Sequence, residues 1–200
     1  MNTTTSSLRF TPFALAFALA LIGSMGIVAC TPSEGPTVES TAEVILQSLK
    51  EQDFESVALY AHPEKGIRFT PYTYVNPDTD VVIPAEDVSG LGTSSELITW
   101  GTQEGSGFPI TQTFMEYFGR YVWHHDYTQA PEVLWNTPFD RGTIIDNAAV
   151  VYPDAEIVEY HFPSFDPEYG GMDWSSLRLV LEEDDGEWFL VGIIHDEWAP

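Results

Sequence analysis

The chain has 200 residues, with 31 acidic against 7 basic side chains and a formal charge of −24. That balance excludes nucleic acid as a partner, because binding it needs a positive footprint, and it excludes a polybasic grip on anionic lipid. All six tryptophans and all nine tyrosines lie downstream of residue 30, a composition that excludes general disorder and predicts one domain with a sizeable core.

Residues Met1 to Phe10 form a short polar head whose one charged side chain is Arg9, and an apolar run of 17 residues follows from Phe13 to Ala29. A cationic head, an apolar middle and small residues at Ala29-Cys30 have the order of a secretory signal peptide. The run sits at the lower limit of the roughly 17–25 residues that cross a bilayer, and no basic stop cluster follows it. An uncleaved anchor and an ordinary secreted protein are the rival readings. Cys30 is the only cysteine, so no disulfide forms within the chain. A lone thiol in an exported protein points to a chemical use for it.

Ile27-Val28-Ala29-Cys30 resembles the lipobox of bacterial lipoproteins. The resemblance implies a diacylglyceryl thioether on the Cys30 sulfur, cleavage after Ala29 and acylation of the new amino terminus. It places the protein at the cell envelope, on the outer face of the cell membrane, or in the periplasm or outer membrane where two membranes exist. Thr31, where an inner-membrane retention aspartate would stand, favours the outer one. Cleavage removes Arg9 and leaves 31 acidic against 6 basic side chains. The membrane partner must then be reached through lipid, each buried methylene contributing about 0.8 kcal/mol.

Three segments are expected: residues 1–29 as signal peptide, 30–39 as lipidated cysteine and Pro-, Thr- and Glu-rich tether, and 40–200 as one globular domain. Ser40-Thr41-Ala42-Glu43 has the form of a capping box, and Ala42, Ile45, Leu46 and Leu49 follow at helical spacing. Asp53 caps a second helix, with Phe54, Val57, Ala58 and Ala61 on its apolar side and Pro63 and Gly66 to stop it. Ile67–Tyr74 reads as an edge strand interrupted at Pro71. Val81–Ile83 is extended, residues 84–87 start a brief helix, and Leu97–Gly101 is a strand before a glycine-rich turn. Thr111–Trp123 reads as a helix with Phe114, Phe118, Tyr121 and Val122 on one side. Glu132–Trp135 and Ile157–Phe162 read as strands. Leu177–Glu182 and Trp188–His195 form a hairpin around Asp185-Gly186, a strong turn signal. With a two-residue turn and an unbroken ladder, Arg178 opposes Ile193, and Arg178 and His195 share a face.

This order is α+β. The stretches AEVILQSLKEQDFESVALYAHP and LRLVLEEDDGEWFLVGIIHDEW resemble the opening helices and closing hairpin of the nuclear-transport-factor-two-like superfamily. The resemblance implies a curved, mostly antiparallel sheet packed on N-terminal helices, cone-like, with an internal pocket. HPEKGIRFTPY, TWGTQEGSG, VEYHFP and GMDWSSLRLV resemble segments of uncharacterised exported bacterial lipoproteins, a likeness that implies no activity. The superfamily holds enzymes, binding domains and scaffolds, so the fold does not decide function.

No phosphate-cradling loop, H-E-x-x-H or G-x-S-x-G motif is present. No catalytic residue, cofactor or metal ligand is assigned. His124-His125-Asp126 reads as a helix-end cluster, since adjacent side chains diverge, and His62 as part of a helix stop. Glu159 and His161, two apart on one strand, point the same way. Together with Arg178 and His195 they form the candidate ligand pocket. Its bland alternative is a buried network that fixes the sheet. Trp174, Trp188 and Trp198 read as core or rim. The leading expectation is a ligand-binding or protein-interaction module of the envelope. The alternative is a small hydrolase or isomerase with a Glu–His pair and an arginine anion clamp. A third reading is an acidic cation-binding surface protein.

Overall fold

A computed structural model describes residues 1–2, 35–137 and 145–198. Cys30, the apolar run and the start of the tether lie outside the described residues. Among the described residues no helix is long and apolar enough to cross a membrane.

Helix α1 (Val38–Glu51) starts earlier than the Ser40 box suggests. Thr37 is its N-cap: its Oγ accepts from the Ser40 amide at 3.3 Å, and the Ser40 hydroxyl donates back to the Thr37 carbonyl at 2.9 Å. Glu39 then falls in the first turn, where the helix dipole favours a carboxylate. Ala42, Ile45, Leu46 and Leu49 are buried as their spacing predicts. Gln52 takes a left-handed conformation to close α1, and Asp53 caps the short α2 (Phe54–Leu59). His62 ends that turn, its Nδ1 accepting from the amides of Glu64 and Lys65 at 3.2 Å each.

Eight strands follow: β1 (Ile67–Thr70), β2 (Val81–Ile83), β3 (Ile98–Thr102), β4 (Pro109–Gln112), β5 (Glu132–Trp135), β6 (Glu156–Phe162), β7 (Ser175–Asp184) and β8 (Glu187–Glu197). Between them lie the short helices α3 (Ala85–Val88), α4 (Phe114–Tyr117) and α5 (Ala148–Val151). The main sheet is open and mixed, in the order β2-β1-β8-β7-β6-β5, while β3 and β4 form a separate ribbon. Among the described strand pairs only β1–β8 is parallel. The fold is therefore α+β, with the N-terminal helices on one face. β1 is an interior strand, not an edge. Pro71 falls just past Thr70, the last paired residue, so no ladder amide is lost. Thr113 caps α4 with a complete capping box through Glu116, and Phe118–Val122 widens into a π turn that carries the chain to Trp123.

The helix-covered face is filled by aromatic side chains. Trp100 stacks on Tyr117 with ring centroids 4.2 Å apart, Phe69 meets Trp100 edge-on at 5.7 Å, and Phe54 meets Phe114 at 5.1 Å. The Trp100 indole donates to the Gln112 carbonyl at 3.1 Å, so its burial leaves no orphan donor. The other face carries a smaller cluster of Val75, Ala148, Tyr152, Val180, Val191 and Ile194, with the segment around α5 lying over it.

The closing hairpin turns at Asp185 and Gly186, both with positive φ, as a two-residue turn demands. Leu181 opposes Leu190, as a two-residue turn requires. The ladder then shifts: Val180 opposes Gly192, which leaves Val191 as an extra residue. This β-bulge reverses the side-chain alternation beyond it. Arg178 opposes Ile194 rather than Ile193, and His195 opposes Leu177 on the helix-covered face. A side chain at Gly192 would approach the Tyr152 hydroxyl to 3.1 Å and Val180 to 3.2 Å, so the bulge packs closely enough that those side chains would have to give way.

Candidate functional site

The register sets two rows across the open face. Leu134, Glu159, Arg178 and Ile194 lie side by side on β5, β6, β7 and β8, and His161, Ser176 and Asp196 form the next row. Glu159, His161 and Arg178 therefore share a face. His195 lies on the other, and the bulge puts Asp196 in the place expected for it.

The cluster is almost sealed. Glu159, His161, Ser176, Arg178 and Asp196 are each no more than 3% exposed. The Arg178 guanidinium reaches Asp196 Oδ2 and Asp146 Oδ2, both at 3.3 Å. Asp146 arrives from the loop ahead of α5, so one arginine ties the sheet to its cover. Burial pushes the Asp196 carboxyl up to about 7, against the pull of the Arg178 charge. The Ser176 hydroxyl donates to Glu159 Oε1 at 2.6 Å and lies 2.7 Å from His161 Nδ1. Its one proton goes to the carboxylate, so Nδ1 of His161 donates to the hydroxyl oxygen. That direction holds a structure together. It does not activate Ser176 as a nucleophile, which would need to give its proton to the imidazole. Arg178 is likewise engaged by carboxylates, not left open as an anion clamp.

A cavity of about 260 Å³ opens beside this cluster. Its floor is Leu134, Ile157, Glu159 and Arg178 from three neighbouring strands, and its cover is Asp146, Ala148, Ala149, Tyr152 and Pro153. The walls are mostly apolar with charge at one end, the usual make-up of a small-molecule site, though just below the usual 300–1,000 Å³. His161 and Ser176 do not line it. Among the charged groups that line it, the carboxylates of Asp146 and Glu159 outnumber the single guanidinium, so it suits a neutral or cationic group better than an anion.

His195 belongs to a second cluster at the far end of β8. It is fully buried, and its Nδ1 lies 2.9 Å from the Pro71 carbonyl. Its Nε2 points to Glu197 Oε2 at 3.7 Å, and His124 Nε2 is 3.9 Å from the same oxygen. Arg120 pairs with both oxygens of Glu197. The Ser175 hydroxyl lies 3.0 Å from His124 Nε2 and 2.8 Å from the Tyr127 hydroxyl. Burial is the main cause that drives His195 down to about 4, against the pull of Glu197 and the Pro71 carbonyl, and His124 down to about 2. Both imidazoles are neutral at physiological pH. His125 instead stacks on Phe165 at 4.0 Å.

Reading by motif missed Asp146, Ser176, Asp196 and Glu197. Gly192 was the available signal, since an isolated glycine in a strand pattern marks a bulge.

The site and fold define a class: an α+β domain with helices on one face of an open sheet and, on the other, a mostly apolar pocket with charge at one end. No family model matches the chain, and no curated protein matches it. Among solved structures, it is similar to a chain from Xanthomonas campestris described as a calcium/calmodulin dependent protein kinase II association domain, with 16% identity, 84% of this chain and 92% of that chain covered, and a TM-score of 0.34.

Proposed function

We propose that this protein is an exported bacterial lipoprotein, anchored through Cys30, whose domain binds a small ligand in the cavity between the sheet and the segment around α5. The observation that carries the binding reading is the cavity itself, walled by Leu134, Ile157 and Ala149 and charged at one end by Asp146, Glu159 and Arg178. The nuclear-transport-factor-two-like resemblance of the opening helices and closing hairpin is consistent with such a role. The acidic balance of the lining favours a compact neutral or amine-bearing molecule. A hydrolase or isomerase reading gains nothing from the geometry, because His161 and Ser176 are sealed away from the cavity.

Binding is tested by a thermal-shift survey of compact amines, amides and sugars on the full chain in detergent. A ligand at 100 times its Kd stabilises the folded state by about 2.7 kcal/mol. At least one compound is expected to raise the Tm of the wild type and not of Ala149→Trp, which places an indole at the exposed rim. No compound that separates the two proteins would overturn the reading.

Anchoring is tested apart from binding. Replacing Cys30 by serine is expected to abolish incorporation of labelled palmitate and to release the protein from the membrane fraction. Labelling that survives Cys30→Ser would remove the anchor.

A further inference from the structure

We propose that His124, His195 and Glu197 form a binding site for one divalent transition-metal ion, with zinc the ion their donor set fits best. The site lies on the helix-covered face, across the sheet from the cavity, and is independent of the ligand reading.

Strand β8 supplies two donors from one side, because His195 and Glu197 are two residues apart. His124 comes to them from just after the π turn. One donor atom from each lies within 4.8 Å of the others. Zinc holds imidazole nitrogen and carboxylate oxygen at about 2.0–2.2 Å, so tetrahedral donor atoms stand about 3.4 Å apart. The two nitrogen–carboxylate distances, 3.7 and 3.9 Å, are already near that value. The remaining approach falls on His124 and Glu197, which are only partly buried.

The strongest pointer is the fully buried His195. Its Nδ1–H donates to the Pro71 carbonyl, which fixes the tautomer and leaves the lone pair on Nε2. That nitrogen is buried, has no hydrogen-bond partner among the described residues, and aims at Glu197. Leaving such an acceptor unsatisfied is costly, and a bound cation would satisfy it. A metal-ligating imidazole whose other nitrogen donates to a backbone carbonyl has this same arrangement.

Two neighbours compete with the ion. The Ser175 hydroxyl, 3.0 Å from His124 Nε2, must turn away, and the Tyr127 hydroxyl and the Asp196 carbonyl, at 2.8 and 3.4 Å, stand ready to take its hydrogen bond. Arg120 holds Glu197 and lies over the Tyr121 ring at 4.8 Å, but its side chain is 48% exposed and free to move toward solvent. Its charge opposes a cation and limits the affinity. Two imidazole nitrogens select zinc, cobalt, nickel or copper over calcium and magnesium, which separates this site from the general acidity of the surface. Three protein ligands leave a fourth position open for water or a ligand.

The test uses the full chain in detergent, stripped with chelator and titrated with cobalt while visible absorption is followed. The expected result is one cobalt ion per chain, displaced by zinc and not by excess calcium. Glu197→Gln and His124→Gln are each expected to weaken binding at least about tenfold with unchanged near-ultraviolet dichroism, the order of loss that ligand-shell changes cause. Cys30 is present in every protein compared, so it does not contribute to the difference. Absence of a cobalt spectrum, affinities unchanged in both variants, or equal competition by calcium would overturn the site.

Discussion

Arg178→Met is expected to destabilise the domain by about 3–5 kcal/mol, the usual cost of breaking a buried ion pair from one side. For a domain of this size that lowers Tm by about 10 °C. Methionine keeps most of the volume, so the loss is one of charge rather than packing. Arg178 sits 3.3 Å from both Asp146 and Asp196 and opposes Glu159 across the ladder. Removing it leaves the buried Glu159 and Asp196 and the partly buried Asp146 with no arginine among them. It also unties the loop before α5 from the sheet, so the cavity is expected to lose its ligand with the same variant. The double change Arg178→Met with Asp196→Asn should recover part of the loss, because residues that share a network couple. The measurement is denaturant unfolding of the two single variants and the double. Additive losses would show that Arg178 acts by packing alone.

How much of this was legible in the residues depends on the length scale of the cause. α1 and α2 were legible because their apolar stripes are local, and Asp53 caps α2 as its position predicts, although Thr37 and not the Ser40 box caps α1. The hairpin turn was legible because Asp185-Gly186 must take positive φ. The face of His195 was not. Alternation alone put it beside Arg178, but Val191 bulges and every side chain beyond it changes sides. One residue out of register thus exchanged a histidine for an aspartate in the pocket cluster. It also carried His195 and Glu197 to His124, which no local spacing connects. Asp146 was silent for a different reason: it acts from a loop, where no periodicity marks a side chain, and its role exists only through contact with the sheet. The edge reading of β1 failed because a proline limits pairing only at its own amide, and Pro71 lies outside the paired residues.

Asp196→Asn is expected to change the pH dependence of stability as well as its size. Burial holds the native Asp196 carboxyl near 7, well above its ordinary 3.8. Between those values the native state binds the proton and the unfolded state does not, so stability from this group is present at low pH and falls as pH rises toward 7. The gap between those two values sets a ceiling of ~4 kcal/mol on the effect. The two neutral histidines tilt the curve the other way. His195 near 4 and His124 near 2 take protons more readily when unfolded, near 6.5. Their contribution is present above about 6.5 and is lost as pH falls toward 4. Between about pH 4.5 and 6.5 the one aspartate slope offsets only one of the two histidine slopes, so the wild type is expected to lose stability gently on acidification. Asparagine removes the aspartate slope and exposes the histidine one. The variant should therefore gain stability relative to wild type steadily from pH 4.5 to 7.5, and its own curve should fall on acidification. Urea midpoints of both proteins at several pH values, in the presence of chelator so that no metal biases the histidines, give the comparison. A difference between the two proteins that stays constant across that range would mean that Asp196 is ionised throughout. The buried row would then be a fixed ion network, not a group that gains and loses a proton near neutrality.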